Sequence, residues 1–320
     1  MRYFLVVLLF CISGSIFSRC YVSYSPNGYK GLPTVHVFLQ YPNSDYFIGY
    51  QIANRYDTTQ TVYNSHFQIY DAYEYKFDGN KMNKTGNQIL LNLESEFALL
   101  IKGRADYTGG VHGDEQYVSV KYFIDGKLTK FTKAKNLIPC KEFKYEQEST
   151  LHESPKMIKG RIIANPLHPV EALHFKRTIF KNSGYKTFNR ITWKKSIDVS
   201  YWFFGICCIH KDNGLNYHND LDKKEYTAEG LSEYKMKDIV GAKTIFYKND
   251  KTGLSSKVTS KLILPKKQEL NCKLMVWDRK NDTKYYRGYY PVSKVNNGEI
   301  WVGTMTVVHN RMKKTMNTQK

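Results

Sequence analysis

The sequence predicts an all-β fold, an antiparallel β-sandwich or jelly roll. Three observations carry the prediction. Apolar residues alternate with polar ones over many short runs, the period of a half-buried strand. Turn residues recur between those runs. The chain is also rich in rings that pack well on pleated sheets, with 26 Tyr and 17 Phe among 320 residues.

The elements follow in order. Residues 1–18 open with Met1-Arg2, continue through an apolar run from Tyr3 to Ile12 and end in small residues at Ser13-Gly14-Ser15. This is the pattern of a secretory signal peptide, and the run is short for a membrane span. The remainder, 19–320, is expected to be a single large β-sandwich domain in a secreted, extracellular protein without a membrane anchor. Strands are expected at Val35 to Leu39, His66 to Tyr75 and Ile89 to Ile101, the last with Ile89, Leu91, Leu93, Phe97, Leu99 and Ile101 on one parity. Tyr117 to Ile124 and Lys127 to Thr132 read as a hairpin closed by Asp125-Gly126. The basic stretch 141–160 reads as a loop or linker. Further strands are expected at Leu173 to Phe180, Phe188 to Trp193, Val199 to Ile209, Lys243 to Tyr247, Val258 to Leu264, Leu270 to Trp277, Tyr285 to Tyr290 and Ile300 to Val308. Only Tyr226 to Ile239 carries a faint helical pattern.

The formal charge is +19, or +18 once Arg2 leaves with the leader. A field of that size favours polyanions, and for a secreted chain acidic polysaccharide is the expected partner rather than nucleic acid. Lysines that only solubilise the protein are the plainer account. Two glycosylation sequons, Asn83-Lys-Thr85 and Asn281-Asp-Thr283, suit a eukaryotic secretory route. Five cysteines remain after leader removal: Cys20, Cys140, Cys207, Cys208 and Cys272. The odd count leaves at least one without an intramolecular partner, and sequence does not give the pairing.

Three constellations could carry chemistry. The first is Gly109-Gly110-Val111-His112-Gly113-Asp114-Glu115, where glycines surround a histidine followed by two carboxylates. His112 is a candidate general base and Glu115 its orienting partner; a polar tight turn is the competing account. The second combines His174 and Lys176 with Asn189, Arg190 and Trp193, then Tyr201. A concave sheet face could gather them, although a solvated sheet face would look the same. The third sets Trp277-Asp-Arg279 beside Lys284-Tyr-Tyr286-Arg287-Gly-Tyr-Tyr290, rings interleaved with cations that suit acidic sugars. An aromatic hairpin packed on the core is equally compatible. No nucleotide loop, nucleophile elbow or zinc-protease motif is present. No cofactor is expected; Asp212-Asn-Gly and His218-Asn-Asp-Leu-Asp222 offer calcium-capable oxygens without EF-hand spacing, so turns are preferred to a structural Ca2+.

With its basic, aromatic character and the set His112, His174, Arg190 and Tyr201, the chain resembles secreted β-jelly-roll polysaccharide lyases of the alginate- and glucuronan-lyase kind. Lys284-Tyr-Tyr and Asn297-Gly-Glu-Ile-Trp301 resemble the closing hairpin of such folds, and the likeness spans Leu90 to Val308. The Arg-x-Glu-Leu, Gln-Ile-His and Tyr-Phe-Lys blocks of the alginate lyases are absent from the sequence. The resemblance implies β-elimination at a uronic acid. Arg190 or Asn189 would neutralise the carboxylate, His112 or His174 would take the proton, Tyr201 would protonate the leaving oxygen and Glu115 would orient a histidine. Lys176, Trp193, Arg279, Tyr286 and Arg287 would hold the chain of sugars. A lectin or glycosaminoglycan-binding protein would use the same basic, aromatic face without proton transfer. A membrane-surface effector would need a coherent apolar patch beside the lysines.

Overall fold

The computed structural model describes residues 19–56, 64–91, 97–104, 107–109, 115–152, 156–158, 161–163, 170–290 and 294–312. The signal-peptide segment 1–18, His112 and Asp114 lie outside the described residues.

The chain is nearly all strand, arranged in two large antiparallel sheets. The first sheet runs, in spatial order, through Lys135–Cys140, Cys20–Ser25, Thr34–Gln40, Tyr46–Tyr56, Asn64–Phe77 and Met82–Leu90. It continues through Ile197–His210, Asp282–Tyr289, Lys273–Asp278 and Glu233–Val240. The second runs through Glu115–Ile124, Phe143–His152, Val170–Lys181, Gly184–Trp193, Ile300–Arg311, Leu254–Leu264, Thr244–Asn249 and Asn216–Asn219. Asn64 and Ser65 pair in parallel with Glu115 and Gln116, joining the two sheets along one margin.

Inward residues from both sheets interdigitate, as in a sandwich core. Tyr50 of the first sheet meets Phe180 and Tyr185 of the second, at ring separations of 5.1 and 5.6 Å. A second cluster sets Trp202 of the first sheet against Trp301 of the second, 5.2 Å apart, with Trp193 another 5.2 Å from Trp301.

The Asp125-Gly126 turn forms as expected, with φ of 50° and 77° between Glu115–Ile124 and Lys127–Thr129. Several segments differ from the expectation, among them the unexpected strand Tyr46–Tyr56 and Leu270, which lies in a 3-10 turn; two others bear on the core. Most of 141–160 is not a linker: Phe143–His152 is a strand hydrogen-bonded on both sides. Its inward positions include Gln147 and Ser149, so the apolar alternation is broken where the core is polar. Tyr226 to Ile239 is not helical either. It contains the strand Tyr226–Thr227 and most of Glu233–Val240, whose pairing shifts register twice.

Cys207 packs in the main core and its neighbour Cys208 points to the other face; both are buried, as is Cys272. Cys20 and Cys140 stand directly opposite on adjacent strands, their Sγ atoms 3.0 Å apart. Exchange with an oxidised dithiol, which would take up their two protons and two electrons, is expected to join them. Non-reducing peptide mapping of protein secreted from a eukaryotic host should recover the two as one linked species. Finding both freely alkylated in the native protein would exclude the bridge.

Candidate functional site

Alternation along paired strands decides which expected site residues can meet. Lys176 stands opposite Asn189 and His174 opposite Ile191, so all four side chains face the sandwich interior. Arg190 falls on the other parity, exposed on the outer face of the second sheet and stacked over Phe175. Tyr201 belongs to the first sheet and packs outward against Phe203 and Tyr290. His174 and Arg190 both border one pocket of about 330 Å3 on the second sheet, but the His174 ring faces the interior and is 1% exposed, and Tyr201 stands apart on the first sheet. Lys176, Trp193 and Arg287 are at most 2% exposed and offer no surface to a polymer. Arg279 and Tyr286 do reach the outer face of the first sheet.

What the structure does gather is a buried polar cluster. His174 Nδ1 lies 2.7 Å from Glu115 Oε1 and Nε2 lies 3.2 Å from Asn189 Oδ1. Ser149 Oγ donates to the same Glu115 oxygen at 2.6 Å, and Gln147 Nε2 at 3.2 Å. Gln147 Oε1 accepts from the Phe67 amide at 2.7 Å, while Lys176 Nζ donates to the Phe67 carbonyl. Phe97 packs 4.1 Å from the His174 ring. The histidine–carboxylate geometry suits proton chemistry, but its burial does not admit a polysaccharide. Glu115 and the Phe67 contacts lie next to the seam between the sheets, where buried hydrogen bonds fix register.

Open, concave chemistry lies elsewhere, on the outer face of the first sheet. A groove of about 570 Å3 is lined by Ser23, His36, Phe38, Tyr75, Lys81 and Lys135, among others. Val35, Val37 and Leu39 point into the core, so His36 and Phe38 must point out. Gly49 makes the floor: a Cβ there would come within 2.5 Å of the Tyr75 ring and 2.8 Å of Phe38. Those rings meet edge to face at 5.1 Å, and the His36 ring stacks on Phe38 at 6.1 Å.

Gln51 Nε2 is 3.3 Å from His36 Nε2. With the amide donating, Nε2 accepts and the ring proton rests on Nδ1. Burial holds the His36 pKa below its ordinary value, so the ring is neutral near pH 7. Burial likewise raises Tyr75 to about 12, keeping its hydroxyl protonated. Lys81 is held at one rim by a hairpin turn. Asp78 accepts from the Lys81 and Asn80 amides at 2.9 and 3.0 Å, and from Asn83 Nδ2 at 2.8 Å. Those bonds, led by the Lys81 amide, lower the Asp78 pKa to about 2, so the turn keeps its anion across most of the pH range. Sequence reasoning missed this groove. The available signal was His36, a lone polar ring on the outward parity of an otherwise apolar strand.

Among the described residues no cluster of three or more His, Cys, Asp or Glu side chains is placed to hold a metal. The Asp212 and His218–Asp222 segments serve as turns: Asn219 Oδ1 accepts from the Leu221 amide at 2.8 Å, and Asp220 from the Lys243 amide at 3.1 Å.

No protein-family model matches the sequence, and no curated protein matches it. Solved structures similar to it include a glycoside hydrolase family 97 enzyme in complex with acarbose from Pseudoalteromonas sp. strain K8. That match has 7% identity and a TM-score of 0.36, and covers 84% of this chain and 35% of the other. A heparan sulfate lyase HepC mutant from Pedobacter heparinus matches with 8% identity and a TM-score of 0.39, over 91% of this chain and 37% of the other. The chain thus spans little more than a third of the length of either structure. At such TM-scores the function has to be read from the groove itself.

Proposed function

We propose that the protein is secreted and takes an acidic polysaccharide into the groove on the outer face of its first sheet. One observation carries this reading: two lysines, a neutral histidine with its glutamine and an aromatic floor converge in a single open channel. Lys81 and Lys135 supply charge for carboxylates or sulfates, and the Phe38 and Tyr75 rings supply apolar surface for sugar faces.

The chemistry proposed there is β-elimination at a uronic acid. Gln51 and a lysine would bind the carboxylate, making the adjacent C–H more acidic. His36 would remove that proton, the electron pair would form the new C=C bond, and the glycosidic C–O bond would break. Tyr75 would protonate the departing oxygen. Because the His36 pKa is lowered, the free base persists below pH 6.5, and the acid limb of the rate profile is expected on that side. The hydrogen bond that Gln51 makes to the basic nitrogen favours a second reading, a binding protein that holds the polymer without cleaving it.

Purified protein is to be mixed with alginate, glucuronan, hyaluronan, chondroitin and heparin while absorbance of unsaturated uronates is followed. An increase that disappears in His36→Ala is expected. Retention on the same polymers should weaken as salt rises, and fall on the order of tenfold in a Lys81→Ala, Lys135→Ala double variant. Salt-sensitive retention with no absorbance change would leave the binding reading alone. No retention on any of them would sink both.

A further inference from the structure

The groove occupies one half of the outer face of the first sheet. The other half, built on Ile197–His210, Asp282–Tyr289, Lys273–Asp278 and Glu233–Val240, carries a separate surface of different make-up. On these strands Leu274, Val276 and Tyr285 point into the core, so Lys273, Met275, Trp277, Lys284 and Tyr286 point outward. Tyr234 on the neighbouring strand lies against Trp277, ring centroids 5.8 Å apart and planes 24° from parallel. Tyr234 is 47% exposed, unusually open for a large ring.

Cations border these rings. The Arg279 guanidinium sits 5.7 Å from the Trp277 ring and Lys273 Nζ 4.5 Å from Tyr290, whereas Lys284 is buried beside Tyr286 and burial lowers its pKa to about 7. Arg279 is turned in place by Asp282, at 3.3 Å. An aromatic pair with the Arg279 guanidinium on one ring and Lys273 on the same sheet face has two complements at once. The ring faces take the C–H face of a pyranose, and the cations take its carboxylate or sulfate. An apolar partner would bury the Arg279–Asp282 ion pair, and a purely ionic one would leave the rings unused.

We infer that Trp277 and Tyr234, with Arg279 and Lys273, form a second saccharide subsite that binds an acidic sugar residue by stacking and charge. It is separate from the His36 groove. Six strand spacings lie between the strand carrying His36 and the strand carrying Trp277, about 29 Å along the sheet. A polymer can occupy both, whereas a short oligosaccharide can occupy one. The inference deepens the polysaccharide reading, yet it stands on its own residues and can fail alone.

The arrangement of tryptophans supplies the test. The chain has four, and Trp193, Trp202 and Trp301 are at most 1% exposed, while Trp277 is half-buried on this surface. Tryptophan emission is to be followed while the full protein is titrated with a short heparin oligosaccharide, with a neutral dextran fragment as control. The heparin fragment is expected to quench or shift the emission, the response fading at high salt and vanishing in Trp277→Phe. Tyr234→Ala, which leaves every tryptophan in place, should weaken the response on the order of tenfold. The same response should survive in the Lys81→Ala, Lys135→Ala variant, because the groove is distant. A response that persists in Trp277→Phe, or silence at Trp277 in protein that still binds heparin, overturns this subsite and leaves the groove standing. A concentration-dependent emission shift without saccharide would also overturn it, identifying the surface as a contact between copies of the chain.

Discussion

Acid is expected to destabilise this protein well before its carboxylates titrate, because His309 is locked in its neutral form. Its ring is fully buried, its Nδ1 is 2.5 Å from Ser256 Oγ, and Asn213 Nδ2 and the Tyr50 ring complete its surroundings. No described residue bonds to its Nε2. Burial lowers its pKa from 6.5 to about 3. In the unfolded chain the ring binds a proton below about pH 6.5; in the folded protein it does not until about pH 3. The contribution to stability is therefore complete above pH 6.5 and is lost as pH falls between those values. The shift corresponds to a loss on the order of 4 kcal/mol by pH 3, with about 2 kcal/mol of it gone by pH 5. Urea midpoints at pH 7.5 and 5 measure this directly. A His309→Asn variant should be less stable at pH 7.5 and should lose much less between the two. An equal pH dependence in both proteins would remove His309 from the explanation.

Replacing Glu115 with alanine is expected to cost about 3–5 kcal/mol of stability. The change removes one carboxylate and strands the His174, Ser149 and Gln147 donors that converge on it. His174→Ala should cost a comparable amount. The double variant should cost less than the sum, because the second change removes a group the first had already left unpaired. Denaturant unfolding of the four proteins measures the coupling. Folded material from each single variant should keep its polysaccharide retention, since the cluster faces the interior. Variants that remain as stable as the parent but lose all action on polysaccharide would return the pair to a catalytic role.

The fold was legible wherever one face of a strand is apolar. Val35, Val37 and Leu39 face the core and their run appears within the strand Thr34–Gln40. Phe143–His152 escaped because its inward side carries Gln147 and Ser149, and its outward side carries Lys and Glu, so composition alone looks like a basic loop. The site was less legible for a different reason. Which face a residue shares with a distant strand depends on register, and register is not written locally. Pairing sets His174 and Asn189 on one face, as the second constellation anticipated, whereas Arg190, one residue further, points the opposite way. The groove draws His36, Tyr75 and Lys135 from different strands of the first sheet, with Gln51 beside His36. Each is ordinary where it stands, and the pocket exists only after the strands are laid side by side.

The order of strands in the second sheet bears on how this chain is made. Gly184–Trp193 has Ile300–Arg311 as a neighbour, and so has Leu254–Leu264. A ribosome adding about 5–20 residues each second needs several seconds or more to travel from the first of these to their shared partner. Until then each strand, once made, exposes one hydrogen-bonding edge, and Trp193 lacks the ring of Trp301 that will shield it. A chain truncated before residue 300 would therefore keep both edges open, and is expected to aggregate rather than to work in part.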